Sequence, residues 1–190
     1  QAVRESQAQV GICFDGDGDR VILADEQGGI VDGDHVLYLL ARYSGLTPAS
    51  REIVGTVMSN LGLEVALKRL GFSLLRAPVG DKFVYEKMLE RGAEIGGEQS
   101  GHIILRKFAS TGDGLLTALQ VLAVVRRHAR PLSALLAGFQ KFPQILLNAH
   151  VSRKPPLEEI TGYSELIARA HHALGEDCRI VIRYSGTEPL

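Results

Sequence analysis

Three aspartates alternate with glycines near the start of the chain, in the hexapeptide Asp-Gly-Asp-Gly-Asp-Arg at residues 15–20. Carboxylates this close repel one another unless a cation lies between them. Ligand sets made only of oxygen select Mg²⁺, Mn²⁺ or Ca²⁺ over zinc, and the glycines let the backbone bring Asp15, Asp17 and Asp19 together. The loop therefore predicts a site for a hard divalent cation, with a solvated acidic turn as the alternative.

Two other kinds of site share part of this pattern. An EF-hand also alternates aspartates, and Glu26 even falls where its last ligand would stand, but Arg20 occupies the position that requires glycine and strand-like segments flank the loop. A phosphatase with an aspartyl nucleophile would use Asp15 and Asp17 after an apolar strand. That interpretation leaves Asp19 and every later polar loop without a role.

A second polar loop, at residues 98–102, combines a carboxylate, an amide, a hydroxyl and an imidazole. Glu98, Gln99 and Ser100 can accept and donate hydrogen bonds to neighbouring sugar hydroxyls, and the adjacent glycines allow close backbone approach. Taken alone, the loop is equally typical of an ordinary polar turn, and a single His102 is more often structural than catalytic.

A third loop begins at Arg183 and continues through Ser185, Gly186 and Thr187. A guanidinium, two hydroxyls and exposed backbone N–H groups suit a phosphate dianion, although a simple turn would have the same composition. Lys82 opens a predicted helix, where a cation is unfavourable to the helix dipole. Its position indicates an anion nearby, with a solvated lysine as the alternative.

The bulk composition excludes several classes of partner. The 190 residues are 45% hydrophobic and 23% charged, the net charge is −1, and no basic run is longer than Arg126-Arg127. We therefore expect neither nucleic acid nor an anionic membrane as a partner. The longest apolar stretch, residues 115–125, is too short to cross a bilayer. Cys13 and Cys178 are predicted to be buried thiols of a cytoplasmic protein.

Alternating strands and helices predict an α/β fold with a mixed, largely parallel sheet. After residue 142 the pattern changes to that of part of an α+β domain. Strands are expected at residues 10–14, 21–24, 52–58, 72–77, 93–95, 102–105, 144–151 and 178–183. Helices are expected at residues 33–43, 61–70, 81–91, 113–128 and 158–174, with Asn60 and Asp113 as N-caps.

Together, the three loops resemble those of the α-D-phosphohexomutase family. The sequences DGDGDR at 15–20, GEQSGH at 97–102 and RYSGTEP at 183–189 are similar to its metal, sugar and phosphate loops. The resemblance implies that residues 1–31 are the tail of a second domain, residues 32–146 a third domain and residues 147–190 a truncated fourth. A first domain, which carries the family's phosphoserine, would then be missing, so we expect this chain alone to be inactive.

The resemblance also implies a reaction and a set of roles. The family moves a phosphoryl group from the phosphoserine to a sugar phosphate, forms a bisphosphate, and returns the other phosphate to the serine. Mg²⁺ would be held by the three aspartates, with Arg20, Lys82 and His102 as catalytic residues. The predicted substrate-binding residues are Glu98, Gln99, Ser100, Arg183, Ser185, Gly186 and Thr187.

The form of the sugar loop indicates a branch of the family. Gln99, with TVMSNLG at 56–62 and VGDK at 79–82, is most similar to bacterial members that convert glucosamine 6-phosphate to glucosamine 1-phosphate for cell-wall precursors. Members acting on mannose or glucose phosphates, which more often carry Met in place of Gln99, are the alternative. A metal-dependent phosphosugar-binding module without chemistry is a second alternative. The expected partner is a phosphorylated hexosamine, and a homodimer is an assembly that the sequence leaves open.

Overall fold

An antiparallel hairpin forms the first part of the fold in a computed structural model that describes residues 1–45, 50–175 and 178–185. After the short helix α1 (Ala2–Glu5), strand β1 (Val10–Phe14) pairs with β2 (Val21–Asp25), and Phe14 lies opposite Val21. A two-residue strand, β3 (Ile30–Val31), extends this sheet along β2. The predicted strands on either side of the aspartates are confirmed, and residues 15–20 form the hairpin tip.

The second sheet has four strands in the order β5-β4-β6-β7. Its central strand β4 (Glu52–Thr56) runs parallel to β5 (Ser73–Ala77) and to β6 (Ile95–Gly97). The edge strand β7 (Ile103–Leu105) runs antiparallel to β6. The predicted mixed, largely parallel sheet is therefore confirmed.

Five helices accompany these strands, and three begin at side chains that cap them. They are α2 (Gly33–Tyr43), α3 (Leu61–Arg69), α4 (Asp81–Arg91), α5 (Gly114–His128) and α6 (Leu132–Leu136). Asp32 accepts from the backbone of His35, Asn60 from that of Gly62, and Asp113 from that of Leu116. Each cap satisfies an N–H group that has no partner inside the helix.

Helices cover both faces of the four-stranded sheet. Successive residues of a strand point to opposite faces, so each strand contributes side chains to two cores. Ile53 and Ile103 belong to the larger core, which includes buried residues of α2, α3, α5 and α6. Val54 and Ile104 belong to the smaller core under α4, with Val84 and Met88. The result is a layer of strands between two layers of helices, which explains why both successive residues Ile53 and Val54 of the central strand are apolar and buried.

The chain divides into two compact units, Gln1–Phe142 and Pro143–Leu190. In the second unit a 3₁₀ turn (Leu157–Glu159) precedes helix α7 (Tyr163–Leu174). The helix expected at 158–174 is thus interrupted, because Gly162 at φ 81° takes the left-handed conformation just before α7.

The two strands predicted in the second unit, at 144–151 and 178–183, are wrong. Neither segment is in a strand, and the described residues of this unit contain no strand with which either could pair. Ile145 and Leu147 are 84% and 86% exposed. An apolar segment becomes a strand only where a partner satisfies its backbone groups, and sequence alone does not supply that partner.

The prediction of buried cysteines is wrong for Cys13, which is exposed, and Cys178 is only partly buried. Cys13 lies on β1 at the edge of the antiparallel sheet, where Ile12 and Phe14 are also exposed. Both thiols are free. Among the described helices, none combines the length and the apolar character needed to span a bilayer.

Candidate functional site

The three aspartates of the hairpin tip converge. One carboxylate oxygen from each of Asp15, Asp17 and Asp19 lies within 4.8 Å of the others. Asp15 and Asp17 are exposed and Asp19 is partly buried. Three hard oxygen donors at this spacing fit Mg²⁺, which prefers carboxylate ligands and retains several waters. The predicted cluster is present in the folded chain.

Arg20 closes this loop. Its backbone N–H donates to Asp15 over 3.2 Å, and its guanidinium Nε lies 3.7 Å from both Asp15 and Asp19. Desolvation acts to raise the pKa of Asp15, but the hydrogen bond from the backbone N–H of Arg20 and the charge of its guanidinium lower it below its ordinary value. The loop thus keeps Asp15 ionised and ready to bind a cation.

Backbone hydrogen bonds join the acidic loop to the predicted sugar loop. Val21 donates to the carbonyl of Gly101 over 3.1 Å, and Arg20 and His102 form an antiparallel bridge. Gly114, the first residue of α5, donates to the carbonyl of Gly18 over 3.0 Å. Two loops separated by about 80 residues in sequence are therefore held together by main-chain contacts.

His102 is buried, and both of its ring nitrogens have partners. Nδ1 lies 3.1 Å from a carboxylate oxygen of Asp19, and Nε2 accepts from the backbone N–H of Gly112 over 3.0 Å. Because Nε2 is the acceptor, Nδ1 carries the proton and donates it to Asp19. In this arrangement His102 orients an aspartate of the cluster.

Glu98 links the sugar loop to the turn that precedes Lys82. Its Oε1 accepts from the backbone N–H of Gly80 over 3.0 Å. The side chain of Lys82 is 76% exposed and lies 3.9 Å from Glu86. The structure therefore brings the Lys82 turn to Glu98 while leaving the ammonium group in solvent.

A cleft of about 420 Å³ opens beside these loops. Its volume suits a small polar ligand such as a sugar phosphate. Four of its lining residues were predicted from sequence as site residues, Arg20, Glu98, Gln99 and Ser100, and three were not, Thr56, Met58 and Val79.

Sequence inspection missed one buried carboxylate behind the sugar loop. Asp34, fully buried in the first turn of α2, accepts from the side-chain Nε2 of Gln99 over 3.1 Å and from the backbone of Asn60 over 2.8 Å. The signal was available, because residues 32–34 repeat the Asp-Gly-Asp of the acidic loop.

The predicted phosphate loop belongs to the second unit. The Arg183 side chain is exposed and donates to the carbonyl of Tyr184 over 3.3 Å, and Lys154 donates to the carbonyl of Ser185. Gly186 and Thr187 lie outside the described residues.

Comparison with known proteins identifies the family. The model of the alpha/beta/alpha domain III of phosphoglucomutase/phosphomannomutase matches residues 32–142, and the model of the C-terminal domain matches residues 146–190. The chain belongs to the phosphoglucomutase/phosphomannomutase family, and the resemblance predicted from its three loops is confirmed.

Individual relatives agree with this assignment. A phosphoglucosamine mutase of Nitratidesulfovibrio vulgaris is 48% identical over 189 residues, 98% of this chain and 42% of the relative. A family protein from Burkholderia thailandensis is 31% identical with a TM-score of 0.64, over 74% of this chain and 31% of that one. The fold alone is shared with the N-acetylphosphoglucosamine mutase of Aspergillus fumigatus solved with GlcNAc-6P and magnesium (TM-score 0.76, 19% identity, 94% of this chain, 46% of that one).

The chain spans about 42% of the length of the curated relatives it matches.

Proposed function

We propose that this chain is part of a phosphoglucosamine mutase, which interconverts glucosamine 6-phosphate and glucosamine 1-phosphate. The observation that carries the proposal is the joining of the aspartate cluster to the Glu98–Gln99–Ser100 loop by main-chain hydrogen bonds beside one cleft. Relatives of that name at about 48% identity support the choice of sugar.

Each residue at or beside the cleft is assigned one role in phosphoryl transfer. Asp15, Asp17 and Asp19 would hold Mg²⁺, which when bound neutralises charge on the transferring phosphoryl group. Arg20 is placed to stabilise the same group, because its guanidinium lies beside two of the aspartates and its side chain lines the cleft. Glu98 and Ser100 would bind ring hydroxyls and position the sugar.

Lys82 is the better candidate for proton transfer at the sugar hydroxyl, since both ring nitrogens of His102 are already hydrogen-bonded. A general acid or base contributes about 10²–10⁴ in rate. His102 would instead keep Asp19 in its cation-binding orientation. A Lys82→Ala enzyme that retains wild-type kcat would contradict this division of roles.

The phosphate loop would bind the phosphate that is not reacting. We expect Arg183→Ala in the full-length enzyme to raise KM for the sugar phosphate about 10- to 150-fold, because a lost charge-assisted contact costs about 1.5–3 kcal/mol. Steady-state kinetics of Arg183→Lys, which keeps the charge but not the two-pronged guanidinium, would show how much of the rise in KM is due to the geometry of the guanidinium. Unchanged KM and kcat/KM in Arg183→Ala would show that the loop is an ordinary turn.

The decisive experiment uses the full-length protein that contains this chain. We expect it to convert glucosamine 6-phosphate with a higher kcat/KM than glucose 6-phosphate or mannose 6-phosphate, and Asp17→Asn to abolish turnover. A preference for mannose or glucose phosphate would move the protein to another branch of the family. Binding of all three sugars without phosphoryl transfer would favour the phosphosugar-binding module.

We place this reaction in the cytoplasm. Both cysteines are free, as is usual for proteins of a reducing compartment. Cell fractionation with an antibody to the full-length protein would test the location, and recovery outside the cytoplasm would refute it.

A further inference from the structure

A buried carboxylate lies directly behind the sugar loop. Among the described residues, it has no hydrogen bond to Asp15, Asp17 or Asp19. Asp34 has 0% exposure, and its Oδ2 accepts from Gln99 Nε2 and from the Asn60 backbone N–H. We propose that Asp34 is a positioning residue that sets the sugar preference by fixing the orientation of the Gln99 amide. This proposal rests on the proposed mutase function and deepens it.

The start of α2 holds Gln99 at two points. The N–H of Gly33 donates to the Gln99 carbonyl over 3.1 Å, and Asp34 accepts from the Gln99 side chain over 3.1 Å. A Cβ on Gly33 would lie 1.9 Å from the carbonyl oxygen of Glu98, so the helix and the loop are in backbone contact. Gln99 is therefore held in main chain and side chain by consecutive residues of one rigid element.

The chemistry of the pair determines which way the amide faces. An ionised carboxylate only accepts, so it must receive an N–H of Gln99, and the amide oxygen is turned away from Asp34. Gln99 lines the cleft. An oxygen acceptor there pairs with a donor on the ligand, and the ammonium of a 2-amino sugar donates without ever accepting. A hydroxyl donates less strongly, because charged donors make the stronger hydrogen bonds.

The surroundings of Asp34 keep it ionised at neutral pH but near its titration range. Burial raises its pKa to about 6, the charge of Asp32 also raises it, and the Asn60 N–H, Lys141 and the Ser59 hydroxyl act in the opposite direction. Among the described residues its Oδ1 has no hydrogen-bond partner. Below pH 6 the protonated acid can donate to the Gln99 oxygen, which permits the reversed amide.

The test is the ratio of kcat/KM for glucosamine 6-phosphate to that for glucose 6-phosphate in the full-length enzyme. Asp34→Asn provides a donor as well as an acceptor to Gln99, and we expect it to lower this ratio about threefold, the scale of one hydrogen bond. In a Gln99→Met background the same substitution should leave the ratio unchanged, because the amide it acts through is gone.

Asp32→Asn is the matched control. Asp32 is also a buried carboxylate in the same helix start, but it pairs with His35 and Lys141 rather than with Gln99. We expect it to leave the substrate ratio unchanged even where it lowers stability. If Asp34→Asn lowers kcat/KM equally for both sugars, its role is structural and the proposal is wrong.

A pH series on the wild type tests the same proposal without a substitution at Asp34. Between pH 7 and pH 5 the ratio should fall about threefold in the wild type and stay constant in Gln99→Met. Equal pH dependence of the ratio in both proteins would overturn the proposal. An enzyme that prefers mannose 6-phosphate at every pH would instead refute the proposed function, so the two failures are distinguishable.

Discussion

The tripeptide Asp-Gly-Asp occurs twice in overlap within residues 15–19 and again at residues 32–34, and the fold treats the copies at 15–17 and 32–34 in opposite ways. The first copy lies at the tip of a hairpin, where Asp15 and Asp17 are exposed and converge with Asp19. The second copy starts α2, where Asp32 and Asp34 are 8% and 0% exposed. Identical residues thus form a cluster of converging carboxylates in one place and a buried support for a loop in the other.

The difference arises from what surrounds each backbone. At the hairpin tip the carboxylates lie close together and two of them are exposed to water, so their charge is available to a cation. At the helix start they are desolvated, and each must find protein partners: His35 and Lys141 for Asp32, and Gln99 and Asn60 for Asp34. A repeated motif therefore carries no fixed function until its burial is known.

The largest expected effect concerns the central glycines of the two copies. A Cβ on Gly33 would lie 1.9 Å from the Glu98 carbonyl oxygen, whereas a Cβ on Gly16 would meet nothing within 4 Å. We expect Gly33→Ala to destabilise the fold by about 3 kcal/mol, because backbone would have to move. The matched Gly16→Ala change should stay within about 0.5 kcal/mol. Urea unfolding of both variants measures the difference, and equal losses would contradict the comparison.

A second expected effect is the dependence of stability on pH. Burial raises the pKa of Asp34 to about 6 from an ordinary value of 3.8, so the folded chain binds the proton more tightly than the unfolded chain. The free energy of unfolding should therefore fall as pH rises from about 4 to 6, by up to about 3 kcal/mol from this group.

Asp34→Asn should remove that fall. Urea unfolding of wild type and Asp34→Asn across this pH range would give the part of the pH dependence of the unfolding free energy that comes from Asp34. Asp15 provides the opposite sign, since its pKa is lowered and the stability it contributes is lost as pH drops below its ordinary range. Asp15→Asn should therefore leave the fall between pH 4 and 6 in place. If Asp34→Asn retains the wild-type slope, Asp34 is not the titrating group.

The smallest of these effects is cation affinity in this chain alone. We expect Mg²⁺ to bind weakly, because Asp15 and Asp17 are exposed and the ion would keep several of its waters. Asp17→Asn should lower the Mg²⁺ affinity at least about tenfold. Loss of a residue that only hydrogen-bonds to a metal-ligating side chain already costs that much, and Asp17 would be a direct ligand. Titration calorimetry with Asp32→Asn as the control would measure it. The same affinity for wild type and Asp17→Asn would remove the loop's assignment as a cation site.

Local chemistry made a large part of the fold predictable. Asn60 and Asp113 were expected as helix caps and are caps, because an N-cap depends on a side chain reaching N–H groups two or three residues away. The helices expected at 33–43 and 81–91 are present with those bounds. The chemistry of the Asp15–Arg20 loop was also evident from sequence, because its ligands are close neighbours along the chain.

Interactions between distant residues were decided only by the tertiary structure. The occupation of both His102 nitrogens depends on Asp19 and Gly112, and the contact between Asp34 and Gln99 joins residues 65 positions apart. The strands expected at 144–151 and 178–183 failed for the same reason, since a strand requires a partner elsewhere in the chain. Sequence by itself determined which groups are available for chemistry, whereas burial and long-range hydrogen bonding, which exist only in the folded chain, decided which of them line the cleft.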